Sequence, residues 1–351
     1  MGDLARAQVR AGHDVTVVTL DRDVARINSA RLPAKSVEAG VRIVRLPGFG
    51  SNRFAVTTRP DRLARLVRGS DAVHLHDLRF HIALVAAISR LARHRTFLHS
   101  HGFIFHTAKW RRVKQVVFRG YYAPVLQATQ THVLCSSEAD MALLRSVAPA
   151  VASRGIVLPN GVELEPFLRV TGVPVGGRIV VIGRVVESKG IDRLLRALAL
   201  VTEIPWHLAL HGAVETRERE RLTSIAQALG VESQLQFARE YATADEPHLL
   251  ASASLAAFPS RGEGFGIGLL DAMASGVPVL ASDLPAHRQL LAASSSAIVD
   301  FERPELTADR LRGLLRMAPA ERDRHCAELR QRARSFDVSN VVARIDEIYS
   351  A

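Results

Sequence analysis

Cysteine is almost missing from this chain. Cys135 and Cys326 are the only two in 351 residues and no CxxC spacing involves them, which leaves out a disulfide scaffold and fits reduced thiols in a cytosolic protein. Long apolar runs are missing too. The longest candidates, 82–88 and 249–258, fall short of the roughly 18 residues a membrane span takes, and suit core elements. The start, MGDLARAQVRAGHD, places an acid at Asp3 and has no apolar stretch, unlike a signal peptide. Aromatics are sparse, with four tyrosines and two tryptophans. Without arginine–aromatic interleaving, nucleic acid is the partner least expected of a basic chain. Charge of one sign does dominate: Lys and Arg number 46 against 35 Asp and Glu, a formal net charge of +11. It is spread from Arg6 to Arg344 without a long run, so a disordered basic tail is not expected. Phosphate-bearing substrates or an anionic membrane face remain as partners. The chain reads as cytoplasmic, resting at most on the inner face of a membrane.

What is there is an alternation of short aliphatic runs with amphipathic helical patterns, the mark of α/β domains built on parallel sheets. The length suits two of them. Strands are expected at 14–20, 41–46, 72–75, 96–99, 133–135 and 155–158, and again at 179–182, 207–210, 235–237, 255–258 and 297–299. The turn-rich segment 159–178, ending TGVPVGGR, reads as a hinge. We expect an N-terminal domain over 1–165, a second over 166–335, and a terminal helix over 336–351. The opening is unusual: a helix, 1–10, precedes any strand, whereas the first strand of a doubly wound sheet is central. The first domain is therefore expected to lack its first strand, a strand-loop-helix unit of roughly thirty residues. The alternative is that 41–46 and 72–75 close up around the gap.

The second half is organised around 258–283, FPSRGEGFGIGLLDAMASGVPVLASD. It reads strand, turn, helix, strand, and ligands gather at the turn after a parallel strand's carboxyl end. Gly264, Phe265 and Gly266 are expected to open the helix, with their free N–H groups aimed at an anion such as phosphate. Glu263 and Asp271, eight positions apart, reach different parts of one extended ligand. Arg184 and Lys189 follow another strand, where two cations at a helix start are unfavourable unless an anion lies there. Paired carboxylates for hydroxyls and cations for phosphates describe a sugar nucleotide. His74 and His76, like His99 and His101, point to one face of their strands. No further ligand is evident for a tetrahedral zinc, so no metal is expected. The basic stretch 109–119 (Lys109, Arg111, Arg112, Lys114, Arg119), with Trp110, Phe118, Tyr121 and Tyr122, has the composition of a surface for anionic lipid.

The stretch 258–283 resembles the signature of retaining glycosyltransferases of family four, in which two glutamates are separated by seven residues; Asp271 stands where the second glutamate is usual. The resemblance extends to HLHD (74–77), HSHG (99–102), PNGVELEPF (159–167) and IGRVVESKGIDRLLRAL (182–198). It implies the GT-B fold, two Rossmann-like doubly wound domains facing a cleft. It also implies transfer of a sugar from a nucleoside diphosphate sugar, such as a UDP- or GDP-sugar, to a hydroxyl of a glycan or lipid-linked acceptor, without a metal or cofactor and with retention. Gly183, Arg184 and Lys189 would hold the diphosphate, with Gly264, Phe265, Gly266 and Ile267 beside it. Glu263 would meet the donor sugar's hydroxyls and Asp271 the ribose, while His101 would lie near the reacting sugar. Two rival expectations remain: an epimerase acting on the sugar nucleotide alone, and a protein that binds the nucleotide sugar without catalysis.

Overall fold

In the computed structural model of the protein, the described residues are 2–22, 31–50, 55–78, 82–101, 111–170, 172, 174–238, 241–292 and 297–350. They form two units, Met1–Gly161 with Val338–Ala351, and Val162–Asp337.

The second unit holds a six-stranded parallel sheet. Its strands are β10 (Arg178–Ile182), β11 (His207–His211), β12 (Leu235–Phe237), β13 (Leu255–Phe258), β14 (Val279–Ser282) and β15 (Ile298–Val299), and their spatial order is β12-β11-β10-β13-β14-β15. Numbered within the unit this is 3-2-1-4-5-6, the doubly wound order. The aliphatic runs are explained by burial on both faces. Val180, Ile182, Ala256 and Phe258 face one apolar cluster, with Leu269, Leu270 and Leu329. Ile179, Val181, Leu255 and Ala257 face the other, with Leu194, Leu198 and Leu311. Of the expected hinge 159–178, residues 174–178 pack within this unit: Val175 donates its N–H to Ser252 O at 3.0 Å, and Ser254 Oγ donates to Val175 O at 2.7 Å. The chain passes between units at Gly161–Val162 and Asp337–Val338.

In the first unit, β6 (Ala72–His76), β7 (Arg95–His99), β8 (His132–Cys135) and β9 (Gly155–Val157) make a parallel sheet in sequential order. Phe97, Leu134 and Leu158 pack beneath the terminal helix Val338–Ser350 through Val341, Val342 and Ile345. A separate sheet, in the order β1-β3-β2, combines β1 (Thr16–Leu20), β2 (Lys35–Glu38) and β3 (Val41–Leu46). Strands β4 (Gly48–Phe49) and β5 (Val56–Thr57) form a small ladder of their own. Among the described residues no strand pairs with the outer edge of β6, so 41–46 and 72–75 do not close up. Leu46, Leu63, Val67 and Val85 bridge the two sheets through helices Pro60–Arg68 and Ile82–Leu91 instead. β2 is absent from the sequence reading. It pairs antiparallel with β3 through Ala39 and Gly40, both at positive φ (47° and 80°), a two-residue turn whose twist suits a hairpin.

Candidate active site

β10 and β13 are neighbours at the point where the sheet order reverses, so the turns that follow them flank the crevice of the second unit. After β10, Gly183 turns the chain at φ 103°, and Glu187–Lys189 form a single 3-10 turn closed by Gly190 at φ 64°. After β13 come Pro259, Ser260 and Arg261, and the two turns are stitched together. The Arg261 N–H donates to Ser188 O at 2.8 Å. Its guanidinium donates to Glu187 O at 2.9 Å and straddles the Asp192 carboxylate at 2.9 and 2.7 Å. A Cβ on Gly190 would sit 2.2 Å from Pro259 O, so only glycine permits this approach. Burial alone would raise the Asp192 carboxyl, but the bonds from Arg261 and Arg221 outweigh it and hold it at about 2.

This stitching brings Lys189 and Glu263 together. Lys189 Nζ donates to Glu263 Oε1 at 2.6 Å, and Ser260 Oγ donates to the same oxygen at 2.7 Å. Burial pushes the Glu263 carboxyl up, and the Lys189 ammonium with these two hydrogen bonds pulls it further down, leaving it below its ordinary 4.5. Gly266, at φ 94°, then opens helix Ile267–Ser275. The helix thus starts after Gly266, later than the expected start at Gly264, and the N–H groups of Ile267, Gly268 and Leu269 have no partner within it. Asp271 lies in its second turn, 5% exposed. Gly183, Lys189, Glu263, Gly266, Ile267 and Asp271 line one pocket. Arg184 is exposed and, with Gly264, stands outside that lining. Phe265 turns inward, its ring edge-on to Phe336 at 5.9 Å, and anchors the loop to the core.

Three further titratable residues line the pocket and were missed from the sequence: Tyr241, Glu246 and His287. His287 comes from helix Pro285–Leu291, which begins at Pro285 with two residues between it and the end of β14. Its Nδ1–H donates to Ser282 O at 2.9 Å, so that in the neutral ring Nε2 is an acceptor, and burial lowers its pKa. The Tyr241 hydroxyl is hydrogen-bonded to the Glu246 carboxyl, and burial raises the pKa of both groups.

In the first unit the four histidines form a stacked cluster. Ring centroids of His74 and His76 lie 4.5 Å apart, those of His76 and His101 5.0 Å, those of His99 and His101 4.2 Å, and those of His74 and His99 5.7 Å, with planes 3° to 23° apart. Ligand nitrogens of His74, His76 and His99 fall within 4.8 Å of one another. These three rings are stacked with planes 3°, 23° and 27° apart, so their lone pairs point nearly alongside one another, whereas a metal ion must lie in the plane of each ring, and the arrangement does not fit a tetrahedral ion. Burial lowers the pKa of all four, His74 to about 3 and His76 to about 2.

Residues 176–336 match the family "Glycosyl transferases group 1", and residues 1–161 match "Glycosyl transferase 4-like domain". A GDP-mannose:cellobiosyl-diphosphopolyprenol alpha-mannosyltransferase of Xanthomonas campestris is 31% identical over 98% of this chain and 90% of its own. The chain belongs to glycosyltransferase family four. This glycosyltransferase is also 30% identical to a phosphatidyl-myo-inositol mannosyltransferase of Mycobacterium tuberculosis, over 91% of the chain and 85% of the relative. Its fold is GT-B: a sucrose-phosphate synthase from Thermosynechococcus elongatus superposes with a TM-score of 0.75 at 18% identity, covering 99% of this chain and 91% of the other.

No helix among the enzyme's described residues is long and apolar enough to cross a membrane. Of the basic stretch, Lys109 and Trp110 lie outside the described residues, as does the side chain of Arg111. Arg119 donates to the carbonyls of Val147 and Ser146, and Phe118 and Tyr122 are buried across a π turn, Phe118–Tyr122. Helix Arg111–Val117 instead exposes Val113, Val116 and Val117, at helical spacing, beside exposed Arg112.

Proposed function

We propose that this glycosyltransferase moves a mannosyl group from a guanosine diphosphate donor to a hydroxyl of a lipid-linked acceptor, with retention of configuration and without a metal. The activities of the mannosyltransferase relatives support the donor and the acceptor class. The observation that carries the reading is the Lys189–Glu263 contact beside the amino end of helix Ile267–Ser275, at the reversal of the sheet order. In this contact the two charges satisfy each other. A diphosphate takes Lys189 and the helix's free N–H groups and frees Glu263 for the sugar's hydroxyls. Arg184, exposed on the same turn, adds a guanidinium to the phosphates. Asp271 is assigned to the ribose and His101 to the reacting sugar.

In the transfer step, the bond from the anomeric carbon to the β-phosphate oxygen breaks while the acceptor oxygen bonds to that carbon on the same face. The acceptor's proton passes to the departing phosphate. Charge building on the diphosphate is met by Lys189, Arg184 and the helix terminus, interactions that strengthen as the bond breaks. Mannosyl transfer from GDP-mannose to a cellobiosyl diphosphopolyprenol tests the reading, with excess chelator present. Activity is expected to persist, and Glu263→Ala and Lys189→Ala to lower it by on the order of a hundredfold. Full activity in both variants overturns the site.

The acceptor's lipid also supplies a reason for membrane contact. We assign it to Val113, Val116 and Val117, which enter the interface while Arg112 meets anionic headgroups.

A further inference from the structure

We propose that His76 and Asn160 are positioning residues for His101, holding its ring in one neutral tautomer with both nitrogens engaged. The inference rests on the assignment of His101 to the reacting sugar and asks how the ring is held there. His101 Nδ1 lies 2.8 Å from Asn160 Oδ1 and His101 Nε2 lies 2.7 Å from His76 Nδ1. An amide oxygen only accepts, so the proton sits on His101 Nδ1; Nε2 of a neutral imidazole then only accepts, so His76 Nδ1 is the donor. The direction of the chain is fixed: His76 to His101 to Asn160. It continues at its other end, where His76 stacks on His74 and His74 Nδ1 meets the Tyr349 hydroxyl of the terminal helix at 2.7 Å.

A consequence follows for the reaction. With both nitrogens spent, the His101 ring is neither a general base nor an imidazolium, so its effect on turnover comes from where it is held. The backbone at His101 stands at φ 46°, a left-handed conformation costly for a side chain with a Cβ. Such strain persists only where surroundings over-determine it. Here the two hydrogen bonds and the stack on His99 do so.

The full-length chain carrying ¹⁵N-histidine, read by NMR at neutral pH, gives the tautomers directly. His76 and His101 are both expected as neutral Nδ1–H forms. An Nε2–H form or an imidazolium at His101 in the unaltered protein overturns the proposal. Kinetics then separate positioning from packing, with GDP-mannose as the probe and mannose release as the readout. His76→Leu and Asn160→Leu are each expected to lower kcat about five- to tenfold, the worth of one hydrogen bond, with KM for GDP-mannose changed less than about twofold. His76→Asn, whose amide nitrogen stands where Nδ1 stood, is expected to restore most of kcat. Unchanged kcat in His76→Leu, with the His76–His101 bond lost by NMR, also overturns it. If the unaltered protein neither binds nor consumes GDP-mannose, the donor reading fails, and the tautomer measurement still decides the proposal.

Discussion

At Glu263 two donors converge on one carboxylate oxygen, and the balance of charge there depends on pH. Its carboxyl lies below 4.5 in the folded chain. A depressed acid contributes stability that is present above the unfolded value and lost as pH falls through the folded one. The donor-free protein is therefore expected to lose stability below about 4.5, and Glu263→Gln to flatten part of that loss in urea melts taken between pH 3 and 6. Asp192, held at about 2, contributes to the same slope at the lower end, so its substitution serves as a comparison. A slope identical in the Glu263→Gln variant and the unaltered protein contradicts the pairing. Glu263, Lys189 and Asp271 were legible because a turn with spaced carboxylates and cations advertises its chemistry. Tyr241, Glu246 and His287 were not. They are ordinary residues in their local sequence, and only the sheet order brings them to the pocket. Phe265 shows the converse, since a motif position does not fix which way a side chain turns.

The element that makes the pocket is the pair of turns after β10 and β13, and Gly190 is what lets them meet. Gly190→Ala is expected to destabilise the protein by roughly 2–4 kcal/mol, combining left-handed strain with a clash on Pro259 O. Gly230→Ala is the control, because Gly230 has a similar φ of 70° and no atom within 4 Å of the added Cβ, so about 1–2 kcal/mol is expected. Denaturant melts of the two variants check this, and equal losses would show that the turns do not press on each other. The exposed valines are likewise a property of one helix. Substitution of Val113, Val116 and Val117 by Asp is expected to abolish sedimentation with anionic vesicles while leaving the affinity for GDP unchanged. The strands of the second unit were readable as aliphatic runs because both faces of that sheet are covered. β2 was not, since KSVE is polar and its hairpin turns on Ala39–Gly40, without the Asn or Asp that usually signals one.

On the scale of the whole molecule, the chain's two ends belong to one unit. The terminal helix Val338–Ser350 completes the core over Phe97 and Leu134. Ile345→Ala is thus expected to speed amide exchange in β6, β7 and β8, with β10 and β13 unchanged, and Leu269→Ala to do the reverse. Each is expected to cost about 2–5 kcal/mol within its own unit. That the second unit binds a nucleoside diphosphate at the Lys189–Glu263 edge is the claim on which the function depends. Calorimetric titration of the full chain with GDP tests it most directly. We predict binding that weakens by at least about tenfold in Lys189→Ala, the scale of one charged hydrogen bond. No heat with the unaltered protein, or equal affinity in the variant, would contradict it.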